Sequence, residues 1–233
     1  MVNLNNIIKS FDNFKAINKL SLKVEKGEIY GLLGANGAGK STTINILLGF
    51  IKPDSGIATI NDIDTSIHFE ETRKITGYIS ENVSLYPYLT GLENLDYFCK
   101  LNGNNYNLKN LKLILNKCGL DDTVQDKKIK TYSKGMRQKV GIAIALAKDA
   151  QVYLLDEPAS GLDPLASNDL SILLKKLSNE GSTILMASHD IFRIRETCDR
   201  IGIIKNGQLV NEMKTSKVST KEIEEIYIDY MRK

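Results

Sequence analysis

Cysteine is scarce in this sequence, and so is any excess of charge of one sign. Cys99, Cys118 and Cys198 are the only three in 233 residues. They are odd in number and widely scattered, with no C-x-x-C pair, which leaves nothing from which to build a disulfide framework. They read as reduced, buried thiols of a cytosolic protein. Lys and Arg number 31 against 28 Asp and Glu, a formal net charge of +3. So small an excess, with no clustered basic face, gives no reason to expect nucleic acid as a partner. Long apolar runs are missing as well. The longest, such as Val140–Ala147, fall far short of the ~18 residues that span a bilayer. The opening MVNLNNIIKSFD has no charged head before an apolar stretch, so no secretory signal is expected.

What is present is ordinary globular material, 42% hydrophobic and 25% charged. At roughly 150 residues per domain, the chain makes one large domain or two closely packed lobes. Short strand-like runs dominate the start: NLNNII, KLSLKV and EIYGLLG, the last running into a glycine loop. A helix is expected in STTINILLGF, a turn in KPDSG and a strand in IATI. From Asn82 to Ala147 the periodicity is helical, with LENLDYFCKL and LKLILNKCGL separated by the turn-forming NGNNYN. Strand and helix then alternate: VYLLD, a helix opening at Pro164, TILMAS, a short helix and IGIIK. This is the rhythm of a parallel sheet with helices on its faces. Asn-Gly in KNGQL predicts a hairpin turn. In the tail, Ser219 and Glu222 predict a capping box ahead of a helix with Ile223, Ile226, Tyr227 and Tyr230 on one face. The expected organisation is one domain over 1–233, with a β-rich catalytic core in 1–81 and 148–233 and a helical lobe in 82–147.

Gly34-Ala35-Asn36-Gly37-Ala38-Gly39-Lys40-Ser41 fits G-x-x-x-x-G-K-S/T at every fixed position, with a strand before it and a helix after it. Glycines allow successive backbone N–H groups to turn inward and cradle phosphate oxygens where a side chain would block them. The helix start adds the positive end of its dipole. Lys40 can reach β- and γ-phosphates, and the Ser41 hydroxyl can bind Mg²⁺, with Thr42 completing the loop. Downstream, VYLLDEP ends a buried strand in Asp156 and Glu157. Strand alternation would point these carboxylates to opposite faces and give them different tasks. In a P-loop enzyme the first holds Mg²⁺, and the second polarises the water that attacks the γ-phosphate.

GANGAGKST, YSKGMRQK, LLDEPASGLDP and the SHD around His189 occur in that order. Together they resemble an ABC-type ATPase cassette, and the resemblance covers essentially the whole chain. It implies a P-loop α/β core with an N-terminal antiparallel β subdomain and an inserted helical lobe, with ATP and Mg²⁺ as cofactors. Phe11 falls where an aromatic ring stacks on adenine, Glu157 takes the place of the general base, and His189 that of the switch histidine on the γ-phosphate. Asp163 matches the loop that contacts a second subunit. Ser133 and the backbone of Gly135 match a signature that meets ATP held by the partner of a head-to-tail dimer. A serine hydroxyl, a glycine and a helix N-terminus suit that task.

Two departures from the commonest family pattern stand out. Tyr132, Lys134 and Met136 replace three of the usual signature residues, and Glu81 stands where a glutamine usually enters the helical lobe. Glu81 would offer Mg²⁺ a charged ligand. Both departures resemble the branch serving antibiotic and bacteriocin-immunity efflux. The implied protein is the ATP-hydrolysing subunit of a transporter. It would be cytoplasmic and peripheral on the inner face of the membrane, pairing with a second ATPase subunit and an integral membrane permease. Leu85, Tyr86, Tyr88 and Leu89, in the loop entering the helical lobe, are the expected contact with that permease. The alternative, a soluble ABC-type ATPase on ribosomes or DNA, calls for two cassettes or a long coiled coil, and the sequence has neither. A GTPase reading of NKCG fails because Gly119 lacks the carboxylate that would pair with guanine.

Overall fold

The computed structural model describes residues 1–232. Two sheets carry the architecture. β1 (Val2–Phe11), β2 (Phe14–Val24), β4 (Ser55–Ile60) and β5 (Ile63–Asp64) form an antiparallel sheet in the order β2-β1-β4-β5. The second sheet runs β10-β9-β3-β8-β7-β6 and is built from β3 (Ile29–Leu33), β6 (Thr76–Ile79), β7 (Val152–Asp156), β8 (Thr183–Ser188), β9 (Arg200–Lys205) and β10 (Gln208–Lys214). Its pairings are parallel except β9 with β10.

The central strands are buried along their whole length, as strands covered on both faces must be. Their side chains alternate between two cores. Tyr30, Leu32, Val152, Leu154, Leu185 and Ala187 pack toward the antiparallel sheet and helix α1 (Lys40–Leu47). Ile29, Leu33, Tyr153, Leu155, Ile184 and Met186 pack on the opposite side. That side is covered by α3 (Gly91–Leu101), α4 (Leu108–Lys117), α6 (Lys134–Ala147), α7 (Pro164–Asn179), α8 (Ile191–Thr197) and α9 (Thr220–Arg232). The shorter α2 (Phe69–Lys74) precedes β6, and α5 (Asp122–Gln125) lies between α4 and α6. All three cysteines are buried, and burial pushes the Cys118 thiol up to about 12, which keeps it protonated and unreactive at neutral pH.

Helices α3 to α6 form the insert between β6 and β7. The NGNNYN loop has a definite task there. Asn104 and Tyr106 both donate to the Ala147 carbonyl at the end of α6, at 3.0 and 2.8 Å, satisfying an orphan acceptor of that helix terminus. Asn206 and Gly207 take φ 48 and 72, the signs a two-residue type I′ hairpin requires. Gly207 N–H also donates to Ala38 O at 2.9 Å, so the hairpin braces the phosphate-loop segment. In the tail, Ser219 N–H donates to Glu222 and Glu222 N–H to Ser219 Oγ, at 2.7 and 3.2 Å, closing the expected capping box. Ile223 is fully buried, with Ile226 and Tyr227 packed beside it.

Candidate active site

β3 delivers the chain to the loop Gly34–Gly39, and α1 leaves from it. Gly39 sits at φ 109, where a Cβ would lie 2.7 Å from the Ala16 carbonyl oxygen. Only glycine fits that conformation and that gap. As N-cap it offers no side chain, and the first turn of α1 holds no acidic residue. The N–H groups there keep their positive potential for an anion. Lys40 is 6% exposed. Its ammonium donates to the Gly34 and Ala35 carbonyls at 2.7 and 3.2 Å and stands 3.5 Å from Glu157 Oε1. The amine is thus fixed at the mouth of the loop.

A cleft of about 350 Å³ opens over this loop. Ala35, Asn36, Gly37, Gly39, Lys40, Ser41 and Thr42 line it, together with Phe11, Glu81, Asp156 and Glu157. Gly34 and Ala38 belong to the same turn, with Ala38 buried beneath it. Phe11, 43% exposed, is joined by Phe14, 60% exposed. The two are paired across the β1–β2 hairpin and both face the cleft. Phe14 is the aromatic that motif reading passed over. The available signal was the hairpin itself, because residues directly opposite in an antiparallel pair share a face.

The two acids do not divide as strand alternation predicts. β7 stops at Asp156, and Glu157 turns to φ 49, a left-handed conformation costly for a side chain of this kind. That turn brings both carboxylates to one cleft. Asp156 is 8% exposed, and its Oδ1 is buried without a hydrogen-bond partner. Burial holds its carboxyl above the usual aspartate range. The Ser41 hydroxyl pulls the other way, while Glu157 and Glu81 push further up. A buried, unpaired carboxylate oxygen beside a hydroxyl fits a hard, oxygen-seeking cation such as Mg²⁺.

Glu157 is held at both oxygens. Oε2 accepts from Ser188 Oγ at 2.9 Å, and Oε1 lies 2.8 Å from Nδ1 of His189. Both partners come from the end of β8, next to β7 in the sheet. A carboxylate fixed this way can take a proton from a water bound within hydrogen-bond reach.

Ser133, Gly135 and Asp163 lie outside the residues lining this cleft. Ser133 caps α6, accepting from Met136 N–H at 3.1 Å. Asp163 caps α7, accepting from Ala166 N–H at 2.9 Å, which holds its carboxyl below the usual range. A Cβ on Gly135 would stand 2.8 Å from the Gly161 carbonyl oxygen, so the start of α6 packs directly on the loop that follows Glu157.

Residues 17–160 match the family model described as ABC transporter. A shorter stretch, 128–194, matches one described as AAA domain, putative AbiEii toxin, Type IV TA system. The bacitracin transport ATP-binding protein BcrA of Enterococcus faecalis is 35% identical, over 94% of this chain and 70% of its own length. The linearmycin resistance ATP-binding protein LnrL of Bacillus subtilis is 34% identical, over 90% and 68%. Among solved structures, the dimeric post-hydrolysis state of the ATP-binding cassette MJ0796 bound to ADP and Pi superposes with a TM-score of 0.84. Its identity is 30%, over 92% of this chain and 99% of that one. With the fold, the phosphate loop and the family match in agreement, this chain belongs to the ABC transporter ATP-binding family and is an ATP hydrolase.

Proposed function

We propose that this chain is the motor subunit of an export transporter. It closes head to tail with a second ATPase subunit on ATP and drives a separate permease that expels a drug, peptide or bacteriocin. The observation that carries the hydrolytic part is the Glu157 carboxylate, fixed by Ser188 and His189 beside the Lys40 ammonium. In this reading the N–H groups of residues 34–42 and Lys40 hold the phosphates, and Phe11 stacks on the base. Ser41 and Asp156, with Glu81 at the same wall, would hold Mg²⁺, which supplies charge neutralisation at the β- and γ-phosphates. Glu157 takes the proton of the attacking water. His189 keeps Glu157 aimed and faces the γ-phosphate.

Ser133, Gly135 and Asp163 serve the second subunit's nucleotide. Their separation from this chain's own cleft supports that assignment, as does the dimeric solved relative. Among the described residues no helix is long and apolar enough to cross a membrane; the reading gives that task to the permease and places this chain against its cytoplasmic side. The loop before α3 offers the contact. Leu85 packs into the core, while Tyr86 and Tyr88 are 47% and 73% exposed. Tyr86 leans edge-on against Tyr97. Export is favoured by the roles named for the bacitracin and linearmycin relatives. Cross-linking from cysteines introduced at positions 86 and 88 to a co-purified membrane subunit tests the docking, and cargo export from reconstituted vesicles tests the direction. A chain that hydrolyses ATP but captures no membrane subunit would overturn the transporter reading.

A further inference from the structure

Two of the positions that depart from the commonest family pattern, Glu81 and Lys134, face one another. Lys134 is the first residue of α6. Its Nζ lies 3.9 Å from Glu81 Oε1 and 2.9 Å from Ser160 Oγ, to which it donates. Glu81 belongs to the loop between β6 and α3 and lines the nucleotide cleft beside Asp156, whose carboxyl its charge pushes upward. Ser160 belongs to the loop that follows Glu157. One ammonium therefore touches two loops that each lead to a cleft carboxylate.

The packing around it is specific. A Cβ on Gly161 would lie 2.9 Å from Lys134 Cδ, so the lysine stem runs against backbone. One turn along α6, Gln138 Nε2 donates to Ser80 O at 3.2 Å, tying the same helix to the residue before Glu81. The lysine itself is out of place by local rules. A cation in the first turn of a helix opposes the macrodipole. The first turn of α6 has no acidic residue to offset it. This locally unfavourable charge is half-exposed and has two partners, the Glu81 carboxylate and the Ser160 hydroxyl.

We propose that Lys134 is a positioning residue for hydrolysis that acts through Glu81. It ties the loop entering the helical lobe to the loop after Glu157, and sets how much negative charge Glu81 presents at the metal end of its own subunit's cleft. This rests on the reading of Ser41, Asp156 and Glu81 as the Mg²⁺ wall. Removing the ammonium leaves Glu81 uncompensated, so Mg²⁺ binds more tightly while the loops lose their common anchor and turnover slows. An exposed ion pair sets the scale of the shift, roughly two- to fivefold.

The test is a cycle of Lys134→Met, Glu81→Gln and the double variant, with Lys134→Arg as the conservative control. Hydrolysis is measured against Mg²⁺ at saturating ATP. Calorimetry of Mg²⁺ titrated into the protein saturated with a non-hydrolysable ATP analogue gives a second readout that needs no turnover. Lys134→Met is expected to lower the half-saturating Mg²⁺ about two- to fivefold and to reduce kcat, with the KM for ATP unchanged at saturating Mg²⁺. Lys134→Arg should restore both, and in the Glu81→Gln background Lys134→Met should no longer shift the Mg²⁺ dependence. An equal shift in both backgrounds, or a raised KM for ATP in both, would mean that Lys134 acts on nucleotide directly and would overturn the proposal. No Mg²⁺ shift in either readout would overturn it too. Intact coupling in calorimetry, with Glu157→Gln hydrolysing ATP as fast as wild type, would instead sink the assignment of Glu157 and leave the Lys134–Glu81 pair standing.

Discussion

Glu157 Oε1 and His189 Nδ1 stand 2.8 Å apart, a bond between the residue that follows β7 and the residue that follows β8. A carboxylate oxygen in its ionised form only accepts, so with Glu157 ionised this bond requires the hydrogen on Nδ1 of His189. Ser188 occupies the other carboxylate oxygen. Glu157 takes a left-handed conformation at the end of β7, which pairs in parallel with β8.

Replacing Glu157 with Gln keeps the shape of the side chain and removes its basicity. Hydrolysis should fall about 10²–10⁴-fold, the usual worth of a positioned general base, with ATP binding retained. Size-exclusion chromatography in MgATP should then show a stable dimer. A monomeric variant with turnover near wild type would remove Glu157 from the mechanism.

His189→Ala should lower kcat roughly 10–100-fold, the scale of a lost hydrogen bond to a charged group. The KM for ATP should change far less, since the contact His189 makes in the site is with the Glu157 carboxylate and the proposed reading gives it no part in holding the nucleotide. Steady-state kinetics separate the two constants. A loss confined to KM would place His189 in substrate binding alone.

Much of this site was legible because its chemistry lies in contiguous residues. The phosphate loop, the DE pair and the SHD segment each declare themselves within a few positions. The capping box at Ser219 and the Asn206-Gly207 hairpin are equally local, and both form as expected. The rest was set by pairings distant in sequence. β6 is a four-residue strand containing a glycine, at the edge of the sheet, and it is defined by its ladder with β7. The left-handed Glu157 defeats the alternation argument because its conformation depends on contacts with Ala187, Ser188 and His189. Phe14 reaches the cleft through the register of a hairpin, and the Lys134–Ser160 contact joins residues that motif reading treats separately.

Asp156 predicts a conflict between stability and function. Its folded-state carboxyl lies above the usual range because of burial, so the folded chain binds more protons than the unfolded one over that window. Stability therefore falls as pH rises through it. Asp156→Asn removes that penalty. In metal-free buffer its Tm should exceed wild type by about 2–4 °C near neutral pH for each kcal/mol relieved in a chain of this size, with the gap closing under acidic conditions. Mg²⁺-dependent hydrolysis should be lost. Equal melting curves at all pH values would show that Asp156 carries no net burial cost.

Phe11→Ala should weaken ATP binding by the worth of one base–aromatic stack, ~1–3 kcal/mol, while Phe11→Tyr keeps it. Phe14→Ala serves as the internal control, since Phe14 lines the same cleft from the facing strand. Titration with a fluorescent ATP analogue reads all three. A larger loss at Phe14 than at Phe11 would reassign the stacking ring.

The sharpest contrast is between Lys40 and the start of α6. Lys40→Ala removes a charge fixed at the mouth of the phosphate loop, so nucleotide binding and hydrolysis should fall together. Ser133→Arg puts bulk and charge at a helix cap that lies outside the same chain's cleft. Gly135→Ala forces a Cβ toward the Gly161 carbonyl oxygen at 2.8 Å, shifting the loop that follows Glu157. Both changes should leave nucleotide binding to the single subunit within about twofold, since neither touches the phosphate loop. Both should abolish ATP-driven dimer closure and most hydrolysis. Nucleotide titration beside sedimentation in MgATP distinguishes the outcomes. Equal loss of binding at Lys40 and Ser133 would place the signature in its own subunit's nucleotide site and overturn the head-to-tail arrangement.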